Sequence, residues 1–149
     1  EIKRKLDAII IKDRVDINDE NYNKVLNGLD FTAESKNETL DEFFMRQKMF
    51  NMEPIALIRY KRRPLVSKFD KNLRITFDYD IEAGAAKSFS DHKYLNPVFK
   101  DLAVIEIKYN NSLPVWLHRI IQKHNLNRET FSKYCHGIDT IKRYYQLKY

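Results

Sequence analysis

Residues 72–80 read Asn-Leu-Arg-Ile-Thr-Phe-Asp-Tyr-Asp. Side chains along a β-strand alternate between its two sides. Leu73, Ile75 and Phe77 therefore line one side, and Arg74, Thr76 and Asp78 the other. A period of two with one wholly polar side describes a strand that is dry on one face and wet on the other. A preceding strand is predicted over residues 55–63, where Tyr60 and Arg62 face one way and Arg59, Lys61 and Arg63 the other. A turn containing Phe69-Asp70-Lys71-Asn72 joins the two strands. From residue 104 a third strand places Glu106 and Lys108 together on one face, among Val104, Ile105 and Ile107. Strands joined in succession by hairpins point to an antiparallel α+β fold.

The flanking segments fill in the pattern. Residues 1–15 form a predicted hairpin with its turn near Leu6-Asp7; Glu1, Lys3 and Lys5 share a face of the first arm, Lys12 and Arg14 a face of the second. A helix follows, capped by Asn18 or Asp19, closed by Gly28 and striped by Tyr22, Val25 and Leu26. Residues 38–52 predict a second helix whose apolar stripe is Leu40, Phe43, Phe44, Met49 and Phe50. Residues 84–101 read as a loop with local turns. A helix starts at Ser112 with Pro114 in its first turn and buries Trp116, Leu117, Ile120 and Ile121; a last helical region covers 127–145. With 149 residues, 43% hydrophobic content, no internal repeat and no linker, residues 1–149 read as a single domain.

The net charge of +6 favours an anionic partner, and the placement of the cations narrows the choice. Polar faces recur on every strand: Lys3, Lys12 with Arg14, Arg62, Arg74 with Asp78, and Glu106 with Lys108. A half-exposed sheet accounts for any one of them. Five together point to the wet lumen of an antiparallel barrel. Cations gathered in such a low-dielectric space repel one another unless an anion joins them. Phosphate oxygens suit it, because Arg offers forked donors and Lys a point charge. Glu106 and Glu1 are the acids available to Mg²⁺ or Mn²⁺, hard cations that prefer oxygen ligands. Competing chemistry is weak. The chain has no Gly-rich phosphate loop and no GxSxG, and His92, His118, His124 and His136 lack tight metal spacing. The lone Cys135 excludes an internal disulfide and a cysteine-based zinc site, fits a reducing compartment, and reads as a buried thiol.

Four stretches, EIKRK…IIIKDRV, YKRRPLV…LRITFDYDI, VIEIKYNNSLPVWL and FSKYCHG, lie in order nearly end to end along the chain. They resemble the VTC (vacuolar transporter chaperone) catalytic domain, a family of the CYTH-like triphosphate tunnel superfamily. The resemblance implies an antiparallel β-tunnel with flanking helices and a basic lining. It also implies transfer of the γ-phosphate of ATP to a growing polyphosphate chain, with Mn²⁺ or Mg²⁺ as cofactor. By position, Lys3, Lys12 and Arg14 are similar to phosphate ligands of the tunnel floor, and Arg62 and Arg74 to wall residues that grip the triphosphate. Glu106 is similar to the metal-binding glutamate, with Lys108 its neighbour, and Lys133 to a basic residue delivered from the terminal helix. The family pattern begins with further strands, of acid-x-lysine and Arg-x-Arg type, upstream of Glu1. The resemblance thus implies a tunnel incomplete at its N-terminus, whose open sheet edges favour self-association. The expected partners are ATP or another triphosphate, polyphosphate, and a membrane protein that accepts the polymer, with no DNA. The expected location is cytoplasmic, including the cytoplasmic face of a membrane complex. Two other readings use the same charges. One is a tripolyphosphatase or nucleoside triphosphatase, in which water attacks. The other is a non-catalytic binder of polyphosphate or RNA, with Tyr60, Phe77, Tyr79 and Tyr109 available for stacking.

Overall fold

The computed structural model describes residues 1–6, 9–31, 36–91 and 94–146, the side chains of 5, 6, 9 and 10 excepted. The chain divides into two compact units, Glu1–Ile55 and Ala56–Tyr149. The predicted Leu6-Asp7 turn falls at 7–8 and His92 at 92–93, both outside the described residues.

In the first unit, β1 (Ile2–Leu6) and β2 (Ile9–Asp13) pair antiparallel. Their register sets Lys3 opposite Lys12, so these two share a face, and turns Arg4 to the other side. There Arg4 bonds both Asp13 and Glu42. Arg4 first, and Arg46 with it, hold the Glu42 carboxyl at a pKa of about 2. Helix α1 (Asp19–Leu26) starts at Asn18, whose side chain accepts from the Asn21 N–H, and is followed by Gly28 at φ +67°, a left-handed conformation that favours glycine. Helix α2 (Glu38–Phe50) starts at Asn37, whose side chain accepts from the N–H groups of Thr39 and Leu40. Its Leu40 and Phe44 bury against Phe31, and Val15, Val25 and Phe43 pack around them. Met49 and Phe50, predicted for the same apolar stripe, are exposed, because the last turn of α2 runs past this small core.

The second unit is built around one long strand. β4 (Arg74–Ala85) pairs antiparallel with β3 (Ala56–Val66) on one side and with β5 (Asn96–Pro97) and β6 (Val104–Lys108) on the other. Three rows cross the sheet: Arg62, Asp78, Val104; Pro64, Thr76, Glu106; Val66, Arg74, Lys108. Residues opposite one another on antiparallel strands point the same way, so all nine positions share a face. Between the pairs Lys61↔Tyr79 and Arg59↔Glu82, β4 carries one residue more than β3, and Asp80 sits there at φ +51°. This bulge reverses the alternation. Beyond it Ile81 and Ala83, both buried, continue the face of Asp78, while Asp80 turns away to pair with Lys61. One sheet face thus has a charged half and an apolar half, and Ile81, Ala83 and Val98 form the core of the latter with Ile58, Phe99, Val104, Phe131 and Ile141.

Helix α3 (Val115–Lys123) begins after Pro114, further along than the Ser112 start read from sequence. Leu117 alone of its predicted buried side is fully buried; Ile121 is half-buried, and Trp116 and Ile120 are exposed. Helix α4 (Lys133–Gln146) starts at Ser132, whose hydroxyl accepts from the Cys135 N–H, well after the predicted start at 127. Gly137 lets this helix press onto the apolar half of the sheet. A Cβ there would stand 2.9 Å from Ile58 Cδ1 and 3.2 Å from Ala83 Cβ. Gly137→Ala is expected to melt near the wild type, since a helix-propensity gain of about 1 kcal/mol offsets the crowding. Gly137→Val overfills the contact by roughly 2 kcal/mol and is expected to lower Tm by about 4–8 °C in thermal denaturation. A valine variant melting with the wild type would show that α4 does not seat through Gly137.

Antiparallel pairing and α+β composition agree with expectation. Among the described residues the two sheets stay open and neither closes into a barrel. None of the described helices is long and apolar enough to cross a membrane.

Candidate anion-binding face

The charged half of the β4 sheet is organised around a carboxylate. Aspartate is disfavoured inside strands, yet Asp78 occupies the middle of β4 with no exposed surface. Arg62, directly opposite on β3, donates to it through Nε at 2.6 Å and Nη2 at 2.7 Å, a forked pair. Lys133, at the first turn of α4, reaches the same carboxylate with Nζ at 2.7 Å. Lys133 lies one helical turn before Gly137 and so shares the face of α4 that meets the sheet. Tyr60 stands beside both cations, its ring centre 5.3 Å from the Arg62 guanidinium and 5.0 Å from Lys133 Nζ. The Arg62 hydrogen bonds, helped by Lys133 and opposed by burial, hold the Asp78 carboxyl below the usual range.

Glu106 is the second acid of the face. Burial pushes its carboxyl up, but Lys108, with Arg62 and Lys133 behind it, outweighs burial and holds the group below its ordinary value. Lys108 Nζ lies 3.1 Å and Arg62 Nη2 3.9 Å from its oxygens. Arg74 stands opposite Lys108 in register and makes no ion pair among the described residues. Four cations, Arg62, Arg74, Lys108 and Lys133, therefore face two carboxylates, and the surplus is positive.

Five of the residues picked from sequence thus come together on this face: Arg62, Arg74, Glu106, Lys108 and Lys133. The other four lie in the first unit. Lys3 and Lys12 stand opposite one another, and Glu1 binds Arg14 at 2.5 Å and Lys3 at 3.4 Å. Arg14 is the main cause of the lowered Glu1 pKa. Sequence reasoning expected these cations to be electrostatically incomplete without an anion. Instead most are internally paired: Arg62 and Lys133 with Asp78, Lys108 with Glu106, Arg14 and Lys3 with Glu1. Alternation shows Asp78 as one member of a polar strand face and does not show its central part. The signal is an acid in mid-strand, a position aspartate disfavours. Alternation places Tyr60 on the face of Arg62; its position beside both cations needs α4 seated on the sheet.

The donor set limits what metal the face can take. Among the described residues no three His, Cys, Asp or Glu side chains converge. Asp78 is committed to Arg62 and Lys133, which leaves Glu106. One carboxylate suits a magnesium-like cation when phosphate oxygens complete its shell, and does not make a protein cage. Elsewhere in this unit, Cys135 is exposed rather than buried as predicted, since it points off the packed side of α4. His136 stacks on Phe131 at 4.7 Å between ring centres, a packing role.

No curated protein and no solved structure matches the chain. The family model of the VTC domain matches residues 1–142. That match runs through both units and takes in the five-residue face and the basic hairpin alike, so the chain belongs to the VTC domain family.

Proposed function

We propose that the chain works as part of a polyphosphate polymerase that transfers the γ-phosphate of ATP to a growing polyphosphate chain. The observation that carries this is Arg62, Lys108 and Lys133 gathered near Glu106, with Arg74 on the same sheet face opposite Lys108, in a VTC-family chain. Phosphoryl transfer needs little covalent work from a protein; positioning and charge stabilisation supply most of the acceleration. Arg62 and Lys133 are held in place beforehand by Asp78 and Tyr60, so phosphate oxygens meet donors that need little reordering. Arg74, without an ion pair among the described residues, and Lys108 supply further positive charge. A terminal oxygen of the polyphosphate chain attacks the γ-phosphorus in line. A new P–O bond forms, the bond from the γ-phosphorus to the β–γ bridging oxygen breaks, and ADP leaves with that oxygen.

Mn²⁺ or Mg²⁺, when bound by Glu106 together with phosphate oxygens, would neutralise charge on the triphosphate. In the basic tunnel that the family resemblance implies, Lys3, Lys12 and Arg14 are proposed as additional phosphate ligands. Incubating the full chain with ATP and Mn²⁺ tests the reading. Long polymer resolved on a gel is the expected product. Stoichiometric free phosphate without polymer would make the chain a triphosphatase, and neither product would leave a binder.

A further inference from the structure

Among the described residues two buried side-chain atoms lack a hydrogen-bond partner, Gln47 Oε1 and Thr76 Oγ1. Only Thr76 belongs to the charged face. An unpaired buried hydroxyl is costly, so its position calls for a physical reason. Thr76 is 5% exposed and stands in the middle row of the sheet, between Pro64 and Glu106. Pro64 has an apolar side chain. Asp78, two residues along the strand, is saturated by Arg62 and Lys133. Glu106 is therefore the cross-strand neighbour able to accept from the Thr76 hydroxyl, and its carboxylate is turned instead to Lys108.

We propose that Thr76 is a positioning residue for Glu106. A bound phosphate chain competes for Lys108, which lies 3.1 Å from Glu106 in the free protein. Once Lys108 turns to phosphate oxygens, the Thr76 hydroxyl donates to the released carboxylate. Glu106 then stays fixed over the sheet, ready to share a cation with the phosphates. The hydroxyl is unpaired in the free protein because its partner arrives only with the ligand. This inference rests on the phosphate-chain reading above.

The test uses Thr76→Val and Thr76→Ser in the full chain, with thermal melting and calorimetric titration of tripolyphosphate, with and without Mn²⁺. Valine keeps the shape and replaces the hydroxyl with a methyl group. Without ligand, Thr76→Val is expected to melt at or above the wild-type Tm. The gain in tripolyphosphate affinity that Mn²⁺ brings is expected to fall about ten-fold, the scale of one hydrogen bond to a charged group. Thr76→Ser restores it. In a Glu106→Gln background Thr76→Val is expected to cost nothing further, because the two act as a unit. A ligand-free Tm several degrees below wild type, an unchanged Mn²⁺ effect, or an equal loss in the Glu106→Gln background would overturn the proposal alone. A wild-type chain that takes no tripolyphosphate would overturn it together with the phosphate-chain reading.

Discussion

Glu106→Gln is expected to lower phosphoryl transfer by the full chain at least about 100-fold while leaving metal-free tripolyphosphate binding intact or tighter. The substitution keeps the size of the side chain and removes its charge. The face loses one of its two carboxylates and keeps all four cations, so anion affinity does not fall. What is lost is the carboxylate of this face that can share a cation with phosphate once Lys108 turns to the ligand, since Arg62 and Lys133 occupy Asp78. Removal of a single preorganised electrostatic stabiliser costs about 10²–10³ in rate in well-studied enzymes. Rate and binding measured on the same preparation check both halves. Undiminished turnover would remove Glu106 from the reaction, and a matching loss of binding would make its role structural.

Asp78→Asn is expected to produce the largest loss of stability. The substitution leaves Arg62 and Lys133 beside a buried neutral amide. Removing one partner of a buried ion pair costs about 3–5 kcal/mol. The low end applies, because Arg62 and Lys133 keep access to solvent. About 3 kcal/mol corresponds to a Tm lowered by roughly 6–12 °C in a chain of this size. The pH dependence has a defined sign. The folded pKa of Asp78 lies below the ordinary carboxylate value of about 3.9. Its stabilisation is therefore fully present above that value and fades as pH falls through the folded pKa. Melting curves at neutral pH and near pH 3 check this. The gap between wild type and variant is expected to be smaller in the second than in the first. A constant gap would assign the effect to shape rather than charge.

How far the sequence was readable follows from range. The strands of the second unit and the faces of Arg62, Arg74, Glu106 and Lys108 are local facts of alternation, and the register places those four on one face. Helix caps at Asn18 and the left-handed Gly28 are equally local. The family followed from segments spread along the whole chain. What stayed hidden depends on contacts between elements. The alternation Arg74, Thr76, Asp78 breaks at Asp80, which reads as a strand end in sequence and is a bulge within a longer strand. The partnership of Asp78 with Lys133 joins residues far apart in the chain and needs α4 seated on the sheet. The stripes of α2 and α3 mark which side of a helix is apolar. They do not mark whether anything covers it, and Met49, Phe50, Trp116 and Ile120 remain exposed.

The left-handed residue at position 80 works as a gearing between two registers. Were the extra residue held as regular strand, without the bulge, Ile81 and Ala83 would rotate toward solvent and Asp80 and Glu82 would turn under α4, placing two acids in the greasy layer. Backbone conformation at position 80 is thus more tightly constrained than side-chain identity on either flank. Losing the extra residue would straighten the pairing and leave both faces as they are, whereas keeping it without the left-handed turn would invert half of the sheet.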